Sequence, residues 1–158
     1  MATGATHPHV ITATALVPAE PSRVYAVIAD YHNSHPHILP KQFSGLVVEK
    51  GGVGRGTIIR FQMRVFGRKQ TFRAAISEPV PGRVLVETDL DGNGAVTTFV
   101  VDRDSASGHS RVTITTELAV RKGLAGKIER FFSTWLLRPM YVRELGLLAA
   151  YVSTRPRL

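Results

Sequence analysis

Residues 29–40 read ADYHNSHPHILP, the densest cluster of chemically versatile side chains in the chain. His32, His35 and His37 fall within six positions, half of the six histidines in the chain, and Asp30 stands just upstream. Imidazoles beside a carboxylate can hold a metal ion or move protons, because histidine changes charge near neutral pH. A metal site needs two or three imidazoles converging with a carboxylate. The spacings around Pro36 allow two such ligands and seldom three. Acid–base work needs less: one imidazole at the mouth of a pocket suffices, with Tyr31, His35 and His37 as the first candidates. The plainest alternative is a set of exposed or lid-associated histidines. The residues alone leave these readings open, and no metal or cofactor is expected.

Little else carries a catalytic pattern. No Ser/His/Asp arrangement, nucleophile elbow or spaced carboxylate pair occurs. The stretch GGVGRG (51–56) resembles a phosphate loop only in composition, since it leads into a strand and not into a helix whose N-terminus meets a phosphate. It is read as a turn. There is no cysteine, which excludes disulfides, thiolate chemistry and sulfur-ligated zinc and fits a cytoplasmic location. MATGATHPHV lacks the basic start and apolar run of a signal peptide. The most apolar stretch, 124–152, carries Lys127, Glu129, Arg130, Arg138, Arg143 and Glu144, too many charges for a membrane span. The formal charge of +8 favours encounters with anions, but the basic residues are scattered and form no run, so no specific nucleic-acid partner is expected.

The elements that must position these residues follow from periodicity. HVITATALVP alternates as a strand does. Pro21 with Val24, Val27 and Ile28 predicts a short helix over about 21–29, and Pro36 and Pro40 leave room for a helical turn after it. From Phe43 to Val120 six hairpin-linked strands follow. Ile59, Phe61, Met63 and Val65 share one face, as do Phe72, Ala74 and Ile76, while Arg60, Arg64 and Arg73 point to a solvated convex side. In VLVET, Glu87 is placed on the solvent side, opposite Val84 and Val86. DGNG is the strongest hairpin signal. A long helix spans about 124–152, with Ile128, Phe131, Phe132, Trp135, Val142, Leu145, Leu148 and Val152 as its apolar stripe and Pro139 as a kink. At about 1.5 Å per residue it reaches roughly 40 Å, enough to cross a sheet.

This is an α+β chain of 158 residues forming one domain, with 1–8 read as disordered and 153–158 as a tail. One long helix on a curved antiparallel sheet rarely packs solid. The sheet mixes small or polar residues (Ala74, Thr88, Ala95, Thr97) with Phe61, Met63 and Phe72, a pattern compatible with either a dry core or an apolar cavity. Arg130, Arg138 and Tyr141 lie near the helix's aromatic residues and could offer a polar handle.

The stretches 17–40, 49–57, 74–88, 97–118 and 136–151 together resemble the START/birch-allergen-like superfamily (SRPBCC), in particular its polyketide cyclase/dehydrase and lipid-transport-like branch. The resemblance covers nearly the whole chain and specifies fold better than function. It implies a helix-grip fold: a seven-stranded curved antiparallel sheet around a long C-terminal helix, with two short helices after the first strand. It further implies an internal cavity for a hydrophobic small molecule or lipid, expected to be lined by Ile59, Phe61, Met63, Phe72, Ala74, Val86, Thr97, Phe99, Phe131 and Trp135. Asp30, Tyr31, Pro36 and Ile38–Leu39 match the family's pattern at the cavity mouth, whereas the histidines inherit no role from it. Two further readings stay open: a polyketide cyclase or aromatase using His35, His37 and Tyr31 for proton transfer, and a module docking an acidic partner on its arginines. Ligand identity and oligomeric state are not expressed in the sequence.

Overall fold

The computed structural model describes residues 8–65, 67–92, 94–119 and 123–155, without the side chains at 125, 128 and 132. Strand β1 (His9–Val17) buries Ile11, Ala13 and Val17 and turns Val10, Thr12, Thr14 and Leu16 outward, the period-two pattern of a half-buried strand. Helix α1 (Pro21–Ala29) begins on a proline whose missing amide costs nothing in a first turn, and it buries Val24, Tyr25, Val27 and Ile28. A single 3-10 turn, His35–His37, follows.

The chain then lays down β2 (Phe43–Lys50), β3 (Ile58–Val65), β4 (Arg68–Val80), β5 (Val84–Asp89), β6 (Val96–Arg103) and β7 (Ser110–Leu118). All pairings are antiparallel, in the order β1-β7-β6-β5-β4-β3-β2. The first strand therefore closes on the last, His9 opposite Leu118 and Val17 opposite Ser110. On the outer face, Thr12–Thr115 and Thr14–Thr113 hydroxyl pairs reinforce this join at 3.1 and 3.0 Å. This is the helix-grip architecture, with α2 (Gly123–Thr154) as the gripped helix. Helix α2 packs chiefly on β1 and touches α1 and the 3-10 turn.

The buried stripe of α2 differs from the expected one. Leu137, Met140, Tyr141, Glu144, Leu145, Leu148 and Val152 are buried, whereas Phe131, Trp135 and Val142 are 66%, 64% and 59% exposed. At about 100° per residue, those three cluster roughly a third of a turn away from the buried line. Spacing by threes and fours fits both lines, and only contact with the sheet selects one. Ile128 and Phe132 lie outside the described side chains, as does the expected disordered N-terminus apart from Pro8. Ser153 and Thr154, expected in a tail, belong to the last turn of α2. Pro139 lies within α2, which continues through it as one element.

Candidate functional site

The three clustered histidines have three different surroundings. Asp30 organises their loop: its Oδ1 accepts the amides of His32 (3.1 Å) and Asn33 (3.0 Å), and its Oδ2 accepts Asn33 Nδ2 at 3.0 Å. Partial burial pushes the Asp30 carboxyl up, but these donors together outweigh it and hold the group below its ordinary range. The loop is stitched to the glycine turn by Tyr31 N–H to Gly52 O (2.8 Å) and Gly54 N–H to Ala29 O (2.9 Å). His32 lies over that turn, its Nε2 at 3.1 Å from Gly51 O. Gly52 has φ +143°, and a Cβ there would stand 2.0 Å from the His32 ring. At Gly54 a Cβ would come within 2.5 Å of Glu78 Oε2. The GGVGRG glycines at these two positions thus leave room for His32 and Glu78. His37 is exposed and stacks on Tyr151 with 5.7 Å between centroids.

His35 alone turns inward, 2% exposed. Its Nδ1–H donates to Ile28 O at 2.7 Å, which fixes the tautomer and leaves Nε2 as a bare acceptor. The ring stacks on Tyr31 (4.4 Å) and meets Phe99 edge-on (6.0 Å). Burial pushes the His35 pKa down, opposed in part by the Glu87 charge and the Ile28 carbonyl. Tyr31 donates its hydroxyl to Glu87 Oε1 at 2.6 Å, and His35 Nε2 stands 3.9 Å from the same oxygen, too far for a direct hydrogen bond.

His35 and Glu87 open onto a cavity of about 170 Å³ between sheet and helix. Its apolar wall runs from Leu39, Phe43 and Leu46 through Ile59, Phe61, Met63 and Phe72 to Phe99, Leu118 and Leu137. Within it, Phe43, Phe61 and Phe72 form a row with centroids 5.7 and 5.6 Å apart. The polar lining groups form one cluster: His35, Glu87, Tyr141, Glu144, Thr97 and Thr116. Thr97 Oγ1, Thr116 Oγ1 and Tyr141 OH are linked in a chain at 2.7 and 2.5 Å. Burial, and then the Glu87 charge, pushes Glu144 well above the carboxylate range. Burial likewise raises Tyr31, and it lifts Tyr141 to about 12 against the opposing hydrogen bond from Thr116. Near neutral pH the cavity therefore holds a neutral imidazole and neutral phenols, beside a carboxyl whose protonated form burial favours.

Of the residues expected in the cavity wall, Ile59, Phe61, Met63, Phe72, Thr97 and Phe99 line it. Ala74 is buried in the core without reaching the cavity. Val86 points outward, and so does Thr88, because Leu85 and Glu87 take the inner parity of β5. Phe131 and Trp135 lie on the exposed face of α2 and do not wall the cavity. Glu87, assigned to solvent from its neighbours Val84 and Val86, is a cavity residue. The sequence offered a signal for it, since Leu85 shares its parity. Glu144, read from the sequence only as a charge that excludes a membrane span, stands seven residues after Leu137 and four before Leu148 on one helical face, and it lines the cavity. Arg60 and Arg73 pair with Glu49 on the convex side, at 3.4 and 2.7 Å. Among the described residues, no group of three or more His, Asp or Glu is placed to hold a metal ion. Among them, too, no helix is long and apolar enough to cross a membrane.

A curved sheet gripping a helix around an apolar cavity defines the helix-grip class, and the sequence places the chain in one of its families. Residues 8–153 match the family of polyketide cyclases/dehydrases and lipid-transport proteins, and the chain belongs to that family. It is similar to KanY protein, whose solution structure has 29% identity and a TM-score of 0.78, covering 92% of this chain and 97% of that one. The Zhui aromatase/cyclase from a Streptomyces species has 15% identity and a TM-score of 0.77, covering 96% and 97%. A START superfamily protein from Mycobacterium smegmatis has 13% identity and a TM-score of 0.70, covering 92% and 97%. At 15% and 13% identity the likeness is one of fold. No curated protein matches the sequence.

Proposed function

We propose that the chain binds a hydrophobic small molecule in the cavity between sheet and helix. The observation that carries this reading is the cavity itself, about 170 Å³ walled by Phe, Leu, Ile and Met side chains with one cluster of polar groups. Such a site buries an apolar body and orients it through a few hydrogen bonds. Family membership supports the reading. The test is native mass spectrometry of freshly purified protein, together with titration of the neutral fluorophore N-phenyl-1-naphthylamine. A bound small-molecule mass or saturable fluorescence is expected, and protein that carries nothing and binds no apolar probe would reject the proposal.

One observation favours a second reading, catalysis of the aromatase/cyclase kind. His35 is neutral and presents Nε2 to the cavity, the arrangement of a general base. In that reading Nε2 takes a proton from an activated methylene of a reactive chain folded in the cavity, and the Tyr31–Glu87 pair holds the polar wall beside it. His35→Ala should then abolish conversion of a linear poly-β-ketone thioester while probe affinity stays within about threefold, the scale of one modest packing contact. His37→Ala should change neither. Unchanged conversion in His35→Ala rejects the base assignment.

A further inference from the structure

We infer that the cavity selects ligands whose polar group is an uncharged oxygen, a hydroxyl or a carbonyl, and turns away carboxylates. The inference rests on the ligand-binding reading above and adds the ligand's head-group chemistry. The first observation behind it is Glu144. This side chain is 3% exposed and lines the cavity, and among the described residues its carboxyl has no hydrogen-bond or ion-pair partner. Its oxygens are reached from the cavity and are not sealed in protein, so a ligand there can supply the hydrogen bond that the protein does not.

The second observation is the sign of the charges facing inward. Among the described residues, the charged types lining the cavity are Glu87 from β5 and Glu144 from α2, with no lysine or arginine beside them. The remaining polar groups carry no positive charge: the His35 imidazole, the Tyr141 hydroxyl, Thr97 and Thr116, with the Tyr31 hydroxyl already donated to Glu87. An entering carboxylate would lose its water, meet the Glu87 charge and find no counter-ion among the described lining residues, and a buried charge left in that state is strongly disfavoured. A hydroxyl or carbonyl oxygen can instead accept from the Glu144 carboxyl, whose protonated form burial favours. A hydroxyl can also donate to His35 Nε2, whose lone pair is free because Nδ1 holds the ring's proton.

The test uses 2-naphthol, 2-acetylnaphthalene and 2-naphthoate, which share one aromatic body and differ in head group, titrated against the full chain at pH 7.5. The two neutral probes should bind at least about tenfold more tightly than the naphthoate. Glu87→Gln keeps an acceptor for Tyr31 but removes the charge, and it should narrow that gap by raising naphthoate affinity. Glu144→Leu removes the carboxyl facing the cavity and should weaken the neutral probes by roughly two- to tenfold. Circular dichroism checks that each variant folds, and if either fails the wild-type comparison and the other variant still decide. Naphthoate binding as tightly as naphthol, or a gap untouched by Glu87→Gln, overturns the selectivity and leaves the cavity reading standing. Failure of every probe, N-phenyl-1-naphthylamine included, removes both.

Discussion

Replacing Glu144 with glutamine should change how stability depends on pH, and the size of the change follows from the site. In the unfolded chain the Glu144 carboxyl ionises near 4.5, whereas in the folded chain burial and the Glu87 charge hold its proton to well above that value. Between the two pKa values the folded state binds one proton more than the unfolded state. Unfolding free energy therefore falls as pH rises, by about 1.4 kcal/mol per pH unit. His35 has the opposite sign. Its folded pKa lies below 6.5, so its contribution rises with pH and is complete by about 6.5. The displaced carboxyls of Asp30, Glu49, Glu78 and Asp104 act below their ordinary values, and the displaced tyrosines act only above 10. Urea unfolding of wild type and Glu144→Gln, read as a difference at each pH from 5 to 8.5, removes the contributions they share. Relative to wild type, the variant should gain about 1.4 kcal/mol per unit as pH rises. The gain should level off where Glu144 ionises in the folded protein. A difference that stays flat from pH 5 upward refutes the reasoning.

Other perturbations probe the same framework. Tyr31→Phe deletes a hydroxyl donated at 2.6 Å to a largely buried Glu87 and should lower stability by roughly 1.5–3 kcal/mol in urea unfolding. Gly52→Ala places a methyl against the His32 ring at a backbone conformation suited to glycine, and it should cost about 1–3 kcal/mol. Adding His32→Ala should return the steric part of that cost and leave the backbone part, a coupling that a double-mutant cycle measures. The single tryptophan, Trp135, is 64% exposed, so native emission should be red-shifted and readily quenched by acrylamide. A blue-shifted, protected emission would place it against protein instead.

Much of the fold is legible in the chain because its signals are local. Pro21 with Val24, Val27 and Ile28 marks α1, and alternation through Ile59, Phe61 and Met63 identifies the inner face of β3. The site is less legible where two patterns compete. In VLVET both parities offer apolar residues, and the strand's neighbours, not its composition, turn Leu85 and Glu87 inward. On α2, Phe131, Trp135 and Val142 make a more conspicuous stripe than the one the sheet buries. Among the histidines nothing in residue type separates His35 from His37. The separation arises because a 3-10 turn carries the first under α1, where the Ile28 carbonyl receives it.

The pairing of β1 with β7 has a consequence during synthesis. Thr12 meets Thr115 across 103 residues of chain, so the first strand to leave the ribosome has no neighbour until nearly the last strand has followed it. At about 5–20 residues per second that interval is of the order of 5–20 s. Hairpins from β2 to β6 can form within it, since each joins consecutive strands, but β1 must wait with both backbone edges open. A stalled nascent chain ending before β7 should therefore present Ile11 and Val17, both buried in the finished domain, to chaperones. Release of those residues from chaperone contact would time the moment when the sheet closes.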